Sequence, residues 1–224
     1  MESAKALFSL GPLQVNSQMV TLLVLAALLV IISYLGTRHM EERPKGLQNL
    51  LEKAVEFLLD FFSEVMGEAL ARRFLPYLGT MFLLILFCNY SGMLPLAGKL
   101  PGLAAPTSML SVTAGLALCT FFVVQYTGIH DHGLKGYSHH FTKPIAVLCP
   151  LFLLEEIVHP VSLSLRLFGN IFGEEAVTEQ LAEVIPVVAP LAMNVLSLLM
   201  GAIQALVFTL LSSIYISMAA SEGH

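Results

Sequence analysis

Residues 20–36 read VTLLVLAALLVIISYLG, a run without one charged side chain. A helix needs about 20 apolar residues to cross the hydrocarbon layer of a bilayer. Comparable stretches return at 74–90, 107–127 and, far longer, 187–219, and a long apolar stretch interrupted by charges lies at 145–185. A soluble fold of this size has no core large enough to hide them all. Hydrophobic residues make up 56% of the chain and charged residues 12%, about half the charged share of a soluble domain, and the mean hydropathy is +0.79. The chain therefore reads as an all-α polytopic membrane protein, with about five membrane-embedded helices plus an amphipathic interfacial helix. Lys and Arg total 11 against 16 acids and form no long stripe, so no nucleic-acid surface is expected. Cys88, Cys119 and Cys149 lie in or beside apolar runs without ligand-like spacing and read as buried small hydrophobes. Met1 to Gln18 carries Glu2, Pro12, Gln14 and Asn16 and lacks a small-residue cleavage pattern, so it does not read as a signal peptide.

The first span is placed at 19–37, ahead of a polar brake from Arg38 to Lys45 in which Pro44 disfavours a continuing helix. Over 47–73 acids recur every fourth residue, Glu52, Glu56, Asp60, Glu64 and Glu68, along one slowly drifting face. That is the pattern of a helix lying at the membrane surface, or of one packed on another protein segment. A second span is expected at 74–91 and a third at 107–128, joined by the Gly- and Pro-rich SGMLPLAGKLPGLAAP. The polar GIHDHGLKGYSHHFTKP then reads as the main hydrophilic loop. Two long helices, 144–185 and 187–220, close the chain as a hairpin bent at Pro186 and Pro190. The first of them has about twice the length an upright span needs, so it is strongly tilted, broken near Pro160 or partly outside the hydrocarbon. With alternating spans, Arg38, Arg43, Lys45, Lys53, Arg72, Arg73, Lys135 and Lys143 share one side, against Lys5 and Lys99 on the other. The positive-inside rule then puts the N-terminus outside and the C-terminus in the cytoplasm.

An arginine inside a greasy helix costs several kcal/mol unless it meets water or a counter-charge, so it marks a functional site by default. Arg166 is that residue. At about 100° per residue, Glu155, His159 and Gly173 fall within about 20° of it, and Ser162 and Asn170 within about 40°, while Glu175 points roughly opposite. Arginine keeps its proton and cannot relay one. As a fixed charge it drives an approaching carboxylic acid to ionise, whereas Glu174, Glu175, Glu179 and Glu183 on the same helix can take up and release protons. The last helix carries Asn194, Ser197, Gln204, Thr209, Ser212 and Ser213. Ser197 and Gln204 share a face suited to packing beside the Arg166 helix, with Gly201 leaving room between them. The serines read equally as helix-to-helix glue, but a buried Gln204 amide is expensive unless paired. His130, His132, His139 and His140 lack a carboxylate or Cys at a diagnostic spacing for a metal. HExxH, Walker A, GxSxG and GxGxxG are all missing, so no cofactor and no ATP site is expected.

The run PVSLSLRLFGN from Pro160, the following Glu175, the terminal GAIQALVFTLLSSIYISMA and the NYSGMLP ending of the second span closely resemble subunit a of the bacterial F-type ATP synthase. The resemblance covers about Arg73 to Ala220. It implies that the last two helices lie strongly tilted against a rotating ring of c subunits, which accounts for the overlong fourth segment. It implies that Arg166 faces the ring carboxylates and keeps two offset aqueous half-channels from short-circuiting. By the same resemblance Glu175 is a half-channel acid, Asn170 lines the channel and Gln204 neighbours the arginine. Glu155 and Glu156 resemble an acidic pair serving the other channel mouth, and His159 and Glu174 are further candidates for a channel mouth. The sequence departs from the family at three places: Ser197 stands where some members have a histidine, His159 where a basic residue is common, and Gly92 where an aspartate is common. Implied partners are the c-ring, b-type peripheral stalk subunits, the rest of the F-type ATP synthase and membrane lipid, in a bacterial cytoplasmic (inner) membrane. The chain itself is then a non-catalytic subunit, and its acids without an oxygen cage favour protons over Na⁺. Two other readings of the residues stand beside this one. A secondary transporter would bind an anionic substrate at Arg166, although the first half of the chain has no counterpart to the arginine helix. An intramembrane hydrolase would use His159 or Ser162 near Glu155, but lacks a paired catalytic motif.

Overall fold

The computed structural model describes residues 6–10, 13–38, 46–93, 105–140, 149–184 and 188–221. A short antiparallel hairpin comes first, β1 (Ala6–Leu10) and β2 (Leu13–Asn16), with Ala6 opposite Asn16 and Leu10 opposite Leu13. The remaining elements are helical. Helix α1 (Ser17–Thr37) runs through the first apolar stretch. Helices α2 (Leu47–Met66) and α3 (Glu68–Ser91) follow, separated by Gly67 alone. The segment read as one helix over 47–73 is thus two, and the second span begins at Glu68. Gly67 has φ 78° and ψ 156°, a combination open essentially to glycine, and its N–H closes α2 on the Ser63 carbonyl at 3.0 Å.

A 3-10 turn at Pro106–Ser108 leads into α4 (Leu110–His140). Helical backbone continues through much of the stretch read as a hydrophilic loop, but Gly133, at φ 70° and ψ 160°, divides it into two helices. Polar side chains mark where a chain leaves hydrocarbon, but backbone hydrogen bonding continues as well in water. Helix α5 (Cys149–Val184) runs unbroken through Pro160, at about 54 Å for 1.5 Å per residue, against about 30 Å of hydrocarbon. Helix α6 (Val188–Ser221) ends the fold. Pro190 sits in its first turn, where a missing N–H costs nothing, while Pro186 lies outside the described residues.

Among the described residues, four helical stretches are long and apolar enough to cross a membrane: α1, α3, Leu110–Asp131 of α4 and Leu191–Ser221 of α6. Helix α5 is not among them, because Glu155, Glu156, Arg166, Glu174 and Glu175 interrupt its apolar residues. It packs against α4 and α6 instead. Two apolar clusters hold the bundle. In one, Leu58, Phe62 and Met66 of α2 close on Phe74 and Leu78 of α3 and Ile216 of α6. In the other, Ile85 of α3, Leu116 of α4, Leu163 and Leu167 of α5 and Phe208 of α6 meet. Helix α2 therefore spends one face on its own bundle, and its acids Glu52, Glu56, Asp60 and Glu64 stay exposed.

Hydroxyls at seven-residue intervals, Thr113, Thr120 and Thr127, are buried along one face of α4. They are affordable in an apolar interior because each returns a bond to its own helix, such as Thr120 to Leu116 O at 3.3 Å and Thr127 to Val123 O at 2.8 Å. Their small size also lets α5 come close, and Thr113 and Ser164 hydroxyls meet at 3.3 Å. Cys88 is buried as expected, but Cys119 faces outward.

Candidate functional site

Arg166 stands exposed on α5, and among the described residues it takes part in no ion pair. Exposed apolar side chains stand elsewhere on this helix and on the last one, Val161, Leu165 and Phe172 on α5 and Leu191, Val195, Leu199 and Ile203 on α6. The sequence placed a polar stripe around Arg166, and the helices divide it. Gln204 is buried on α6 with 7% exposure. Its Nε2 atom, Asn170 Nδ2 and Glu174 Oε1 are buried polar atoms without a hydrogen-bond partner in the described structure. An unmet buried donor or acceptor costs about 1–3 kcal/mol, so each of these three atoms calls for a partner.

Beyond Arg166 towards the C-terminal end of α5 lies a partly polar cavity of about 300 Å³. Asn89 and Gly92 of α3, Glu174 and Glu179 of α5, and Asn194 and Ser197 of α6 line it. Glu174 is eight residues past Arg166, about 12 Å along the helix axis. The cavity thus joins two sequence candidates, Glu174 and Ser197, to the position where the sequence departs from an aspartate. A Cβ on Gly92 would lie 2.9 Å from the Ala105 Cβ, closer than packed carbons tolerate, so glycine is what the local backbone accommodates. Glu175 occupies the adjoining turn of α5, and its side chain lies outside the described residues.

In the other direction along α5, ten residues or about 15 Å before Arg166, a second and much smaller recess is lined by Thr120, Glu156, His159 and Tyr215. The His159 ring stacks on Tyr215, with centroids 4.1 Å apart and planes at 15°. Gln125 Nε2 of α4 donates to Glu156 Oε2, and the Tyr77 and Thr120 hydroxyls are 2.9 Å apart. The Glu155 side chain lies outside the described residues. Polar groups therefore gather on both sides of Arg166 along α5.

Helix α6 is positioned chiefly by α3. Asn89 Nδ2 donates to Gly201 O at 3.0 Å and the Tyr90 hydroxyl to Leu198 O at 3.2 Å, while Thr107 Oγ1 donates to Asn89 Oδ1 at 2.9 Å. A Cβ on Gly201 would meet Asn89 Cβ at 3.2 Å and Tyr90 Cε1 at 3.3 Å. Gly201 thus makes room for α3, not for the Arg166 helix as its place between Ser197 and Gln204 suggested. Of the loop histidines, His130 is on α4, with Nδ1 2.9 Å from Asp131 Oδ1, and Asp131 in turn accepts from Arg73 Nη1 at 3.0 Å. The side chains of His132, His139 and His140 lie outside the described residues.

Residues 19–217 match the family described as ATP synthase A chain. The chain belongs to that family. A Moorella thermoacetica protein described as ATP synthase subunit a is 43% identical to it over 211 residues, 94% of this chain and 94% of that protein. One of the same description from Gloeobacter violaceus is 39% identical over 219 residues, 96% of this chain and 88% of that protein. Membership of the ATP synthase A chain family overturns the secondary-transporter alternative, which rested on Arg166 alone. It also agrees with the four apolar helices in making this a multi-pass membrane protein. Residues around the site that the sequence reading passed over are Asn89, Tyr90, Gln125 and Tyr215. The two amides carried a usable signal, since Asn89 and Gln125 sit within apolar runs and the cost argued for a buried Gln204 applies equally to them.

Proposed function

We propose that this chain is the stationary, non-catalytic proton-conducting subunit of an F-type ATP synthase in a bacterial cytoplasmic membrane, working against a ring of c subunits and held by b-type stalk subunits. One observation carries the reading: an exposed Arg166 midway along α5, with polar recesses on either side of it. A ring carboxylate turning through lipid must be neutral, since a bare charge there is costly. On meeting the Arg166 guanidinium it is driven to ionise, and its proton passes to one recess. Arginine holds its own proton throughout, so no proton crosses directly from one recess to the other. With the N-terminus outside, the Glu174 and Ser197 cavity opens outward, and Glu175, Asn170 and Gln204 extend it towards the arginine. Glu155, Glu156 and His159 serve the cytoplasmic mouth. Carriage of protons through these two offset paths couples the proton-motive force to ATP synthesis or hydrolysis by the complex.

The test is ATP-driven proton pumping in inverted membrane vesicles carrying the assembled complex, parent against Arg166→Ala. Loss of coupled pumping, with a passive leak through the vesicles, is expected. Near-parental coupling would remove Arg166 from the mechanism.

A further inference from the structure

Gln125 lies on α4, opposite α5, and takes no part in the reading above. It is an amide inside the apolar stretch of α4, where an unmatched polar side chain is expensive. Its Nε2 donates to Glu156 Oε2. Glu156 in turn borders the small recess with Thr120, His159 and Tyr215, whose volume of about 10 Å³ is near that needed by a single water. The side chains adjoining Glu156 on the outer surface of α5 are exposed and apolar, Ile157 and Val158, so a carboxylate turned that way would lose its polar surroundings.

We infer that Gln125 is a positioning residue for proton passage at the cytoplasmic recess, its amide holding the Glu156 carboxylate against α4 and beside His159 and Tyr215. The inference rests on the proposed proton path and adds to it the group that orients one carrier. A proton reaching Glu156 forms one carboxyl O–H bond; when that bond breaks the proton leaves on a water and the carboxylate returns, with no other bond changed. An N–H donor fixed on Oε2 keeps the carboxylate in one orientation between transfers. The titratable groups facing Glu156 are His159 on α5, Tyr215 on α6 and, behind Thr120, Tyr77 on α3. Glu155 adjoins it in sequence.

Gln125→Met keeps the length of the side chain and removes the donor. In inverted vesicles with the complex assembled at parental amounts, it is expected to lower proton pumping per ATP hydrolysed severalfold and to displace the pH profile of pumping, which a loss of packing alone leaves in place. Exchanging the two ends, Gln125→Glu with Glu156→Gln, restores one amide and one carboxylate to the same contact and is expected to recover pumping. Glu156→Gln alone separates the two levels of the argument: parental pumping there overturns the role of Glu156 at the mouth, and this inference with it. If Glu156→Gln is impaired but Gln125→Met has parental pumping and an unmoved pH profile, the mouth stands and the inference falls. If Gln125→Met does not assemble, the exchange decides, recovery supporting the inference and an assembled but idle complex overturning it. Failure of both to assemble assigns Gln125 to folding alone and also overturns it.

Discussion

Replacing Gly201 tests how tightly α3 and α6 close on one another. The Cβ of an alanine there meets Asn89 Cβ at 3.2 Å and Tyr90 Cε1 at 3.3 Å, contacts that need a few tenths of an ångström of relief. Overpacking of that kind costs about 1 kcal/mol at the low end, and alanine returns up to about 1 kcal/mol in helix propensity. Gly201→Ala is therefore expected to sit near zero. Leucine brings three further carbons into the same space and forces the helices apart. The bonds from Asn89 to Gly201 O and from Tyr90 to Leu198 O then go, at about 0.6 kcal/mol each inside a bilayer. Overpacking adds about 1–3 kcal/mol and leucine returns about as much helix propensity as alanine, for a total of about 1–3 kcal/mol. The assay is the temperature at which vesicles lose ATP-driven pumping, read beside the amount of assembled complex. Gly201→Ala should track the parent, and Gly201→Leu should fail several degrees earlier and pump less before it does, because Ser197 and Gln204 move with α6. A leucine variant with parental stability and pumping would refute the close approach at this position.

Gly67→Ala meets no neighbour, since nothing lies within 4 Å of the added Cβ. Its whole cost is the backbone at φ 78°, ψ 156°, about 1–3 kcal/mol, and should appear as faster proteolysis at the α2–α3 junction. Reversing Arg73 or Asp131 singly puts like charges where a pair now meets at 3.0 Å. Each is expected to lower complex stability by about 0.5–1 kcal/mol for a partly exposed pair, with recovery in the double exchange Arg73→Asp, Asp131→Arg. Gly92→Asp should impair assembly through the 2.9 Å contact with Ala105 Cβ, and Ala105→Gly in the same chain should relieve it. An unrelieved defect would mean that space is not what glycine supplies there.

The sequence makes apolar helices legible because lipid asks for length and hydropathy, which one chain carries by itself. Junctions are less legible. The acids from Glu52 to Glu68 keep their period of four across Gly67, so nothing in the pattern marks the break; a single positive φ makes it. Polarity ends the third span at residue 128, yet helical backbone runs on to the kink at Gly133 and resumes beyond it to His140, because backbone hydrogen bonding does not stop where the surroundings turn polar. At the site, a helical wheel around Arg166 finds what shares a face of α5, including His159 and Asn170. It cannot find what stands opposite. That His159 lies on Tyr215, that Glu156 takes a bond from Gln125, and that Gly201 makes room for Asn89 are facts of neighbouring helices. Such pairings are fixed by how four helices cross, which no single helix encodes.

The bonds by which α3 holds α6 end on the main-chain carbonyls of Leu198 and Gly201. A carbonyl is present whatever side chain its residue bears. Leu198 is itself half exposed, so the outer surface of α6 can be rewritten residue by residue to suit a different neighbour while its mounting stays as it is. Position 201 does not share that liberty. Under the function proposed above, the same arrangement suggests how to adapt such a subunit to a foreign ring: redraw the outward side chains of α6, and leave Asn89, Tyr90 and Gly201 alone.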